Sequence, residues 1–236
     1  MGAAAQAAAA TACGGLVPVA GEMARGRRFR AVIFDKDGVL VNTEPELDRR
    51  RCAFFADEGI DDSDFPDFYG SNNQVVWSCV EPHDERRRAE LYARFRQRFA
   101  NDPMPYAELA APGVRETLEA LRLHGVRTGL ASASPRWVID GFVEALGIGE
   151  LLDVTVSGEE CVASKPAPDV YLRAMGSLGV SPTETVVVED SPIGIMSAHR
   201  AGALVCAVPL PDGVDLDQTL ADVRLSALTD VLRVVL

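Results

Sequence analysis

The chain reads Ala31-Val32-Ile33-Phe34-Asp35-Lys36-Asp37-Gly38-Val39-Leu40-Val41-Asn42-Thr43-Glu44 across the stretch that decides its fold. Four apolar residues stop abruptly at two carboxylates, a pattern typical of a buried parallel strand that ends at the carboxyl edge of a sheet. Open α/β sheets bind their ligands at that edge. Asp35 and Asp37 are two positions apart, so a strand end would point both side chains the same way. Because two like charges held that close are costly, we expect a cation or a reaction to use them.

The rest of the chain first shows helical periodicity and then alternates between strands and helices. Helices are predicted over 46–58 and 84–100, and the segment between them carries no clear strand signal. From Ala111 onward, strands are predicted over 126–131, 154–156, 185–189 and 203–208, with helices over 112–124, 134–147, 168–178, 192–201 and 230–236. Ser134 is the predicted cap of its helix. This order predicts an α/β fold, a doubly wound parallel sheet with a small helical domain inserted after the first strand.

This order divides the chain into an N-terminal extension, an α/β core and a helical domain. Residues 1–28 are Ala-rich and low in complexity, and we expect a disordered extension there. Residues 29–44 and 111–236 form the predicted α/β core, and residues 45–110 form the predicted helical domain.

Composition excludes several classes of partner. The net charge of −12 argues against a basic face that binds nucleic acid. No segment approaches the ~20 apolar residues of a membrane-spanning helix, so we expect no membrane partner. The five cysteines are widely spaced and odd in number, which favours reduced thiols in a cytoplasmic protein. Cys161 and Cys206 are interpreted as packing residues. We expect a monomer or a weak dimer.

Four predicted strand ends carry polar side chains. In a doubly wound sheet these ends converge on one crevice, which suits metal-assisted phosphoryl transfer. The polar groups are Asp35 with Asp37, then Ser132, then Lys165 in Ser164-Lys165-Pro166, and then Glu189 with Asp190.

The chain has 23 Lys and Arg residues together, and only Lys36 and Lys165 are lysine. A site that needs a compact cation between a carboxylate and a phosphate would keep lysine, because arginine is a bulkier planar fork. We assign Lys165 to such a site. Lys36 is interpreted as chance, because strand alternation would turn it away from Asp35 and Asp37.

With these motifs in order, the chain resembles the haloacid dehalogenase (HAD) superfamily, in the phosphatase and phosphomutase branch that includes β-phosphoglucomutase-like proteins. The resemblance covers roughly residues 29–236 and includes a helical cap after the first motif. Any one motif alone is weak, whereas four in order, separated by βα units, are a strong signal. The resemblance implies a Rossmann-type core and an Mg²⁺-dependent phosphatase that acts on a small phosphorylated metabolite, such as a sugar or polyol phosphate.

The resemblance also implies a role for each motif residue. Asp35 would attack phosphorus and form an aspartyl phosphate. Asp37 would protonate the leaving oxygen and later deprotonate the incoming water. Ser132 and the amide of Ala133 would bind the transferring phosphoryl oxygens. Lys165 would neutralise charge between Asp35 and the phosphoryl group.

The implied metal site takes its ligands from the first and last motifs. Asp35, the backbone carbonyl of Asp37 and Asp190 would bind Mg²⁺ directly, and Glu189 would do so directly or through water. Oxygen ligands and a phosphate partner favour Mg²⁺ over zinc.

Three further residues are candidates for substrate contact. Glu44 lies at the predicted hinge between core and cap, where it could touch substrate or stabilise a helix start. Arg136 follows Ser132 by four residues and could reach the phosphate or lie in solvent. Asn73 lies in the cap loop that, in related proteins, covers the active site. Trp77, further along, is interpreted as a core residue rather than a ligand contact.

Other activities on this scaffold remain as alternatives. A β-phosphoglucomutase-type isomerase is the main one, although mutases carry a cap Arg in the loop that here reads Gly70-Ser71-Asn72-Asn73, and a His where this chain has Leu47. A non-catalytic binding protein is disfavoured because every catalytic position is intact. A haloacid dehalogenase would need neither Asp37 nor the acidic pair, and a phosphonate hydrolase would carry a cap Lys, which residues 45–110 lack.

Overall fold

The computed structural model describes residues 28–71, 73–211 and 213–236, so the predicted extension lies almost entirely outside the described residues. Within that part of the chain, six parallel strands form one sheet in the order β3-β2-β1-β4-β5-β6. The strands are Ala31–Phe34 (β1), Arg127–Ser132 (β2), Val154–Ser157 (β3), Thr185–Glu189 (β4), Leu204–Ala207 (β5) and Val223–Arg224 (β6). The predicted doubly wound sheet is confirmed.

Helices cover both faces of the sheet, as a parallel sheet with apolar strands requires. The helices are Glu44–Glu58 (α1), Asn73–Val80 (α2), Glu85–Arg98 (α3), Tyr106–Leu109 (α4), Val114–Leu123 (α5), Arg136–Leu146 (α6), Asp169–Leu178 (α7), Pro192–Arg200 (α8) and Val231–Val235 (α9). Val32 and Phe34 of β1 pack in one cluster with α5, α6 and α9. Ala31 and Ile33 point to the other face and pack with α7 and α8. This alternation places β1 at the centre of the core.

The segment 44–99, which holds α1, α2 and α3 and is called the helical insertion below, has a hydrophobic cluster of its own. The cluster is largely aromatic, and the ring centroids of Phe54 and Trp77 lie 5.8 Å apart in an edge-to-face arrangement. Trp77 is 3% exposed, which confirms its interpretation as a core residue. The buried members of the cluster are Phe54, Phe55, Phe68, Val76, Trp77, Leu91 and Phe99.

Two chain passages that run side by side connect the insertion to the sheet. The amide of Asn42 donates to the carbonyl of Leu109 at 2.9 Å, and the amide of Ala111 donates to the carbonyl of Leu40 at 3.0 Å. Val41 and Ala110 form an antiparallel bridge between them. The chain therefore leaves and re-enters the core at one place, beside the carboxyl end of β1. The domain limits of 44/45 and 110/111 stay a prediction.

Two features of the remaining chain complete the description. The two-residue strand β6 was not predicted, because a pair of residues is too short to show a periodic pattern. No described helix combines the length and the apolar character that a membrane crossing requires.

Candidate active site

A pocket opens at the carboxyl edge of the sheet, where the strand order reverses between β1 and β4. In open α/β sheets this switch point is where ligands bind. The pocket collects most of the residues predicted from the sequence, namely Asp35, Asp37, Glu44, Asn73, Ser132, Ala133, Lys165 and Asp190. Leu47, Arg51, Gly70 and Ser71 of the helical insertion line it as well.

Lys165 links the nucleophile candidate to the last motif. Its ammonium Nζ donates to Asp35 Oδ1 at 2.6 Å and to Glu189 Oε1 at 2.7 Å. It also donates to the hydroxyl of Tyr171 at 2.8 Å. Burial lowers the pKa of Lys165, but the charges of Asp35 and Glu189 outweigh it, so the pKa lies above its usual value and the side chain stays charged.

Glu189 is fully buried and its two carboxylate oxygens already have protein donors. Oε1 accepts from Lys165 and from the hydroxyl of Tyr171 at 2.6 Å. Oε2 accepts from the amides of Asp190 and Ser191, at 3.0 and 3.3 Å, and from the Ser191 hydroxyl at 3.2 Å. Although burial raises the pKa of Glu189, the contacts with Lys165 and Tyr171 hold it below its usual value. This arrangement favours contact with a metal through water over direct ligation.

Tyr171 was not singled out from the sequence, yet it completes this buried network. Burial and the neighbouring carboxylates raise its pKa well above the usual range, which keeps the hydroxyl protonated as a donor to Glu189. Replacing it by Phe leaves a buried carboxylate and a buried ammonium each short of one partner. We expect Tyr171→Phe to lower the free energy of unfolding by about 1–3 kcal/mol.

Chemical denaturation measures this effect. The matched control is Tyr92→Phe, because the Tyr92 hydroxyl is near the surface and accepts a 3.3 Å hydrogen bond from Asn73 Nδ2. We expect that control to change stability by no more than ~0.5 kcal/mol. Equal stability of the two variants would contradict the role given to Tyr171.

Asp37 accepts three hydrogen bonds from side chains around it. Lys36 Nζ lies 2.5 Å and Thr43 Oγ1 2.6 Å from its Oδ1, and Ser134 Oγ lies 3.1 Å from its Oδ2. Burial raises the pKa of Asp37, but the charge of Lys36 and these hydrogen bonds together bring it below its usual value. The predicted capping role of Ser134 is wrong, because α6 has no side-chain cap and this hydroxyl serves the carboxylate instead.

The interpretation of Lys36 as a chance residue is also wrong. Lys36 is 1% exposed and pairs with Asp37, and its ammonium lies 5.7 Å from the ring centroid of Tyr106 and 5.8 Å from that of Phe142. The error has a simple cause. Strand β1 ends at Phe34 and the chain then turns, so the alternation that points Lys36 away no longer applies.

Three buried carboxylates crowd one end of the pocket. Oxygen atoms of Asp35, Glu189 and Asp190 lie within 4.8 Å of one another. Burial, aided by the charge of Glu189 and only partly offset by Lys165, raises the pKa of Asp35 to about 7. Burial and the charges of Glu189 and Asp35 raise the pKa of Asp190 well above its usual value. A bound cation would relieve this repulsion.

The residues present fit a divalent cation with oxygen ligands. Asp35 and Asp190 face the pocket and offer carboxylate oxygens, the ligand type that Mg²⁺ takes. Two glycines leave room for the acids: a Cβ on Gly38 would overlap the carboxylate of Asp190, and a Cβ on Gly194 would overlap that of Glu189. Gly38 has φ of +78°, a conformation that also favours glycine.

The second motif consists of Ser132 and Ala133, at the end of β2. Ser132 is 1% exposed at the end of β2, and its Oγ accepts the amide of Ser134 at 3.1 Å. Ser132 and Ala133 both line the pocket, as expected for groups that would hold a phosphoryl oxygen.

Arg136 is not brought to the pocket, which corrects its prediction as a phosphate contact. Its Nη1 donates to Thr155 Oγ1 at 2.7 Å and its Nη2 to the Thr155 carbonyl at 3.0 Å. Its Nε donates to Glu160 at 2.8 Å. The side chain lies along the β3 edge because α6 begins at Arg136 itself and the helix directs it there.

The helical insertion supplies the opposite side of the pocket. Glu44 and Arg51 lie on α1, Gly70 and Ser71 precede α2, and Asn73 is the first residue of α2. Burial raises the pKa of Glu44 to about 7, partly offset by the charge of Arg51. Arg51 was missed from the sequence, because nothing distinguishes it from the many other arginines of the chain.

Sequence similarity to known proteins agrees with the fold and the pocket described above. A family model of the haloacid dehalogenase-like hydrolases matches residues 32–208. The chain belongs to this family.

Several relatives of this HAD-like hydrolase are phosphatases by name. The chain is 34% identical over 216 residues to Hexitol phosphatase B of Escherichia coli (strain K12), which covers 89% of this chain and 97% of that protein. It is 31% identical over 207 residues to Validoxylamine A 7'-phosphate phosphatase of Streptomyces hygroscopicus subsp. limoneus, with 86% and 96% coverage. Identity at this level over nearly the whole length supports a phosphatase hydrolase.

Solved structures of HAD proteins share the fold. The crystal structure of β-phosphoglucomutase from Clostridium difficile aligns with a TM-score of 0.69 at 21% identity, covering 86% of this chain and 93% of that one. The pocket of this HAD-like hydrolase is lined by Leu47, where the mutase pattern has His, and by residues of the loop in which mutases carry the cap Arg. The likeness is therefore one of fold.

Proposed function

We propose that the protein is an Mg²⁺-dependent phosphatase that hydrolyses a small phosphorylated metabolite, a sugar or polyol phosphate, through an aspartyl phosphate on Asp35. One observation carries the proposal. Asp35, paired with Lys165 at 2.6 Å, faces the same pocket as Ser132 and Asp190, at the switch point of a HAD-type sheet.

In the first step a carboxylate oxygen of Asp35 attacks phosphorus, and the bond between phosphorus and the leaving oxygen breaks. Asp37 is ionised in the free site, because its pKa lies below its usual value. It takes up a proton when the anionic substrate binds and gives that proton to the leaving oxygen, so the dephosphorylated alcohol departs neutral. Lys165 lowers the repulsion between Asp35 and the phosphoryl oxygens, which are both anionic. The Ser132 hydroxyl and the Ala133 amide hold the phosphoryl group in place.

In the second step water attacks the phosphorus of the aspartyl phosphate, and Asp37 takes a proton from that water. The bond between phosphorus and Asp35 breaks, which releases inorganic phosphate and restores both carboxyl groups. Asp35, the Asp37 carbonyl and Asp190 would hold Mg²⁺, with Glu189 acting through water. When bound, Mg²⁺ supplies the positive charge that brings two anions together.

Phosphate release across a panel of sugar, polyol and other metabolite phosphates tests the proposal. We expect release from a narrow set of these substrates, loss of release after chelation with EDTA, and recovery when Mg²⁺ is added back. Full activity after chelation would contradict the metal assignment. Conversion of β-glucose 1-phosphate to glucose 6-phosphate without phosphate release would replace the phosphatase with a mutase.

A cytoplasmic location is also proposed. Its support is that the four cysteines of the described residues, Cys52, Cys79, Cys161 and Cys206, are all free thiols. Cys206 is fully buried and Cys161 packs beside an apolar cluster, as expected for packing residues.

A further inference from the structure

Arg51 is a buried cation with few protein partners. Its residue exposure is 5%, and its guanidinium faces the pocket from α1. An arginine carries five N–H donors. Within residues 28–71, 73–211 and 213–236, one of them makes a hydrogen bond, from Nη2 to Glu44 Oε2 at a long 3.4 Å. The guanidinium carbon also lies 5.7 Å from the ring centroid of Phe68. A buried guanidinium with this many spare donors is suited to a ligand.

Glu44 presents the complementary group. It is 8% exposed, and its carboxylate accepts from Arg51. A carboxylate has about four lone-pair sites, so acceptor capacity remains on the pocket side. Donors and acceptors therefore stand next to each other on the insertion side of the pocket.

The charges of this pair discriminate between kinds of substrate. With Glu44 ionised, Glu44 and Arg51 together are close to neutral, so a second phosphate or carboxylate on the substrate would have to compete with Glu44 for Arg51 and would face the charge of Glu44. A hydroxyl group meets neither obstacle. It accepts from Arg51 through its oxygen and donates to Glu44 through its hydrogen, and two adjacent hydroxyls can satisfy both at once.

We propose that the Glu44–Arg51 pair is a specificity-determining element that selects a monophosphorylated, otherwise uncharged polyhydroxyl substrate by binding its hydroxyl groups away from the phosphate. The inference rests on the proposed phosphatase function and names its substrate class. It assigns both Arg51 and its partner Glu44 to the binding of substrate hydroxyl groups.

Two variants, each expected to change a different substrate preference, test the pair. The assay compares kcat/KM for a hexitol monophosphate, a hexitol bisphosphate and acetyl phosphate, which has no hydroxyl group. In Arg51→Met we expect the ratio for hexitol monophosphate over acetyl phosphate to fall about 10–100-fold, the range for losing hydrogen bonds to a buried polar substrate group. In Glu44→Gln, which leaves Arg51 unpaired, we expect the ratio for bisphosphate over monophosphate to rise about 10-fold or more.

Arg49→Met is the matched control, because Arg49 is the neighbouring exposed arginine and pairs with Glu46 at the surface. We expect it to leave both ratios unchanged. Thermal unfolding of each variant checks the fold, and the Glu44→Gln gain cannot arise from misfolding.

The outcomes distinguish a failure of this inference from a failure of the proposed phosphatase function. If wild-type protein hydrolyses acetyl phosphate and hexitol monophosphate but Arg51→Met and Glu44→Gln leave the ratios unmoved, the pair is not a specificity element and the phosphatase assignment stands. A wild-type preference for the bisphosphate that Arg51→Met abolishes would make Arg51 an anion site and overturn the inference. No hydrolysis of any of the three would overturn both.

Discussion

Asp35→Asn is expected to reduce phosphate release by at least about 10³-fold, the scale of losing a catalytic nucleophile. The amide is nearly the same size as the carboxylate but is a poor nucleophile toward phosphorus. Asp35 lies at the end of the central strand, and Lys165 keeps its contacts with Glu189 and Tyr171 in the variant. The fold should therefore survive the exchange, so a loss of activity would report on chemistry.

Steady-state phosphate release and intact mass after rapid quenching measure this effect. Wild-type protein mixed with substrate should show a species heavier by one phosphoryl group, and the variant should not. The control is Asp48→Asn, the same exchange at an exposed position of α1. Turnover by Asp35→Asn at the rate of this control would rule out Asp35 as the nucleophile.

Lys165→Arg is expected to lower kcat by about 10²-fold or more, the loss seen when one preorganised donor is removed. The Lys165 ammonium fits between Asp35, Glu189 and the Tyr171 hydroxyl, all within 2.8 Å, in a position that is 8% exposed. A planar guanidinium cannot meet all three from that place. Its added volume should also cost about 1–3 kcal/mol of stability.

Steady-state kinetics on the best substrate of the panel, together with thermal unfolding, measure both effects. Arg173→Lys, at a half-exposed position on α7, exchanges the same two residue types outside the pocket and serves as control. A Lys165→Arg enzyme with near wild-type kcat would show that charge alone, and not its compact shape, is needed at this position.

The strand ends were predictable because the rule behind them is local. A buried apolar run followed by a polar residue marks the carboxyl end of a parallel strand, whatever the neighbours are. Asp35, Ser132 and Asp190 were found in this way, and the sheet brings them to one pocket. The ranges of the longer helices and strands followed from the same periodicity.

Residues beyond the strand ends depend on turns and on tertiary packing, which periodicity does not encode. Lys36 lies one residue into a turn, where alternation fails. Arg136 was a candidate for phosphate contact and Arg51 was not, yet the packing directs Arg136 to the β3 edge and Arg51 into the pocket. Tyr171 was not singled out, because periodicity does not show that its hydroxyl donates to Glu189.

The aromatic cluster of the helical insertion is separate from the hydrophobic core around the sheet, so substrate specificity can change in evolution while the core stays the same. Phe54, Trp77 and Leu91 pack with one another and not with the strands, so the insertion keeps its shape independently of the catalytic acids. Under the proposed function, substitutions at Arg51 or Asn73 are expected to change which alcohol is accepted without moving the groups that break the phosphate bond. The same catalytic groups could therefore serve different metabolites when residues of the helical insertion are substituted.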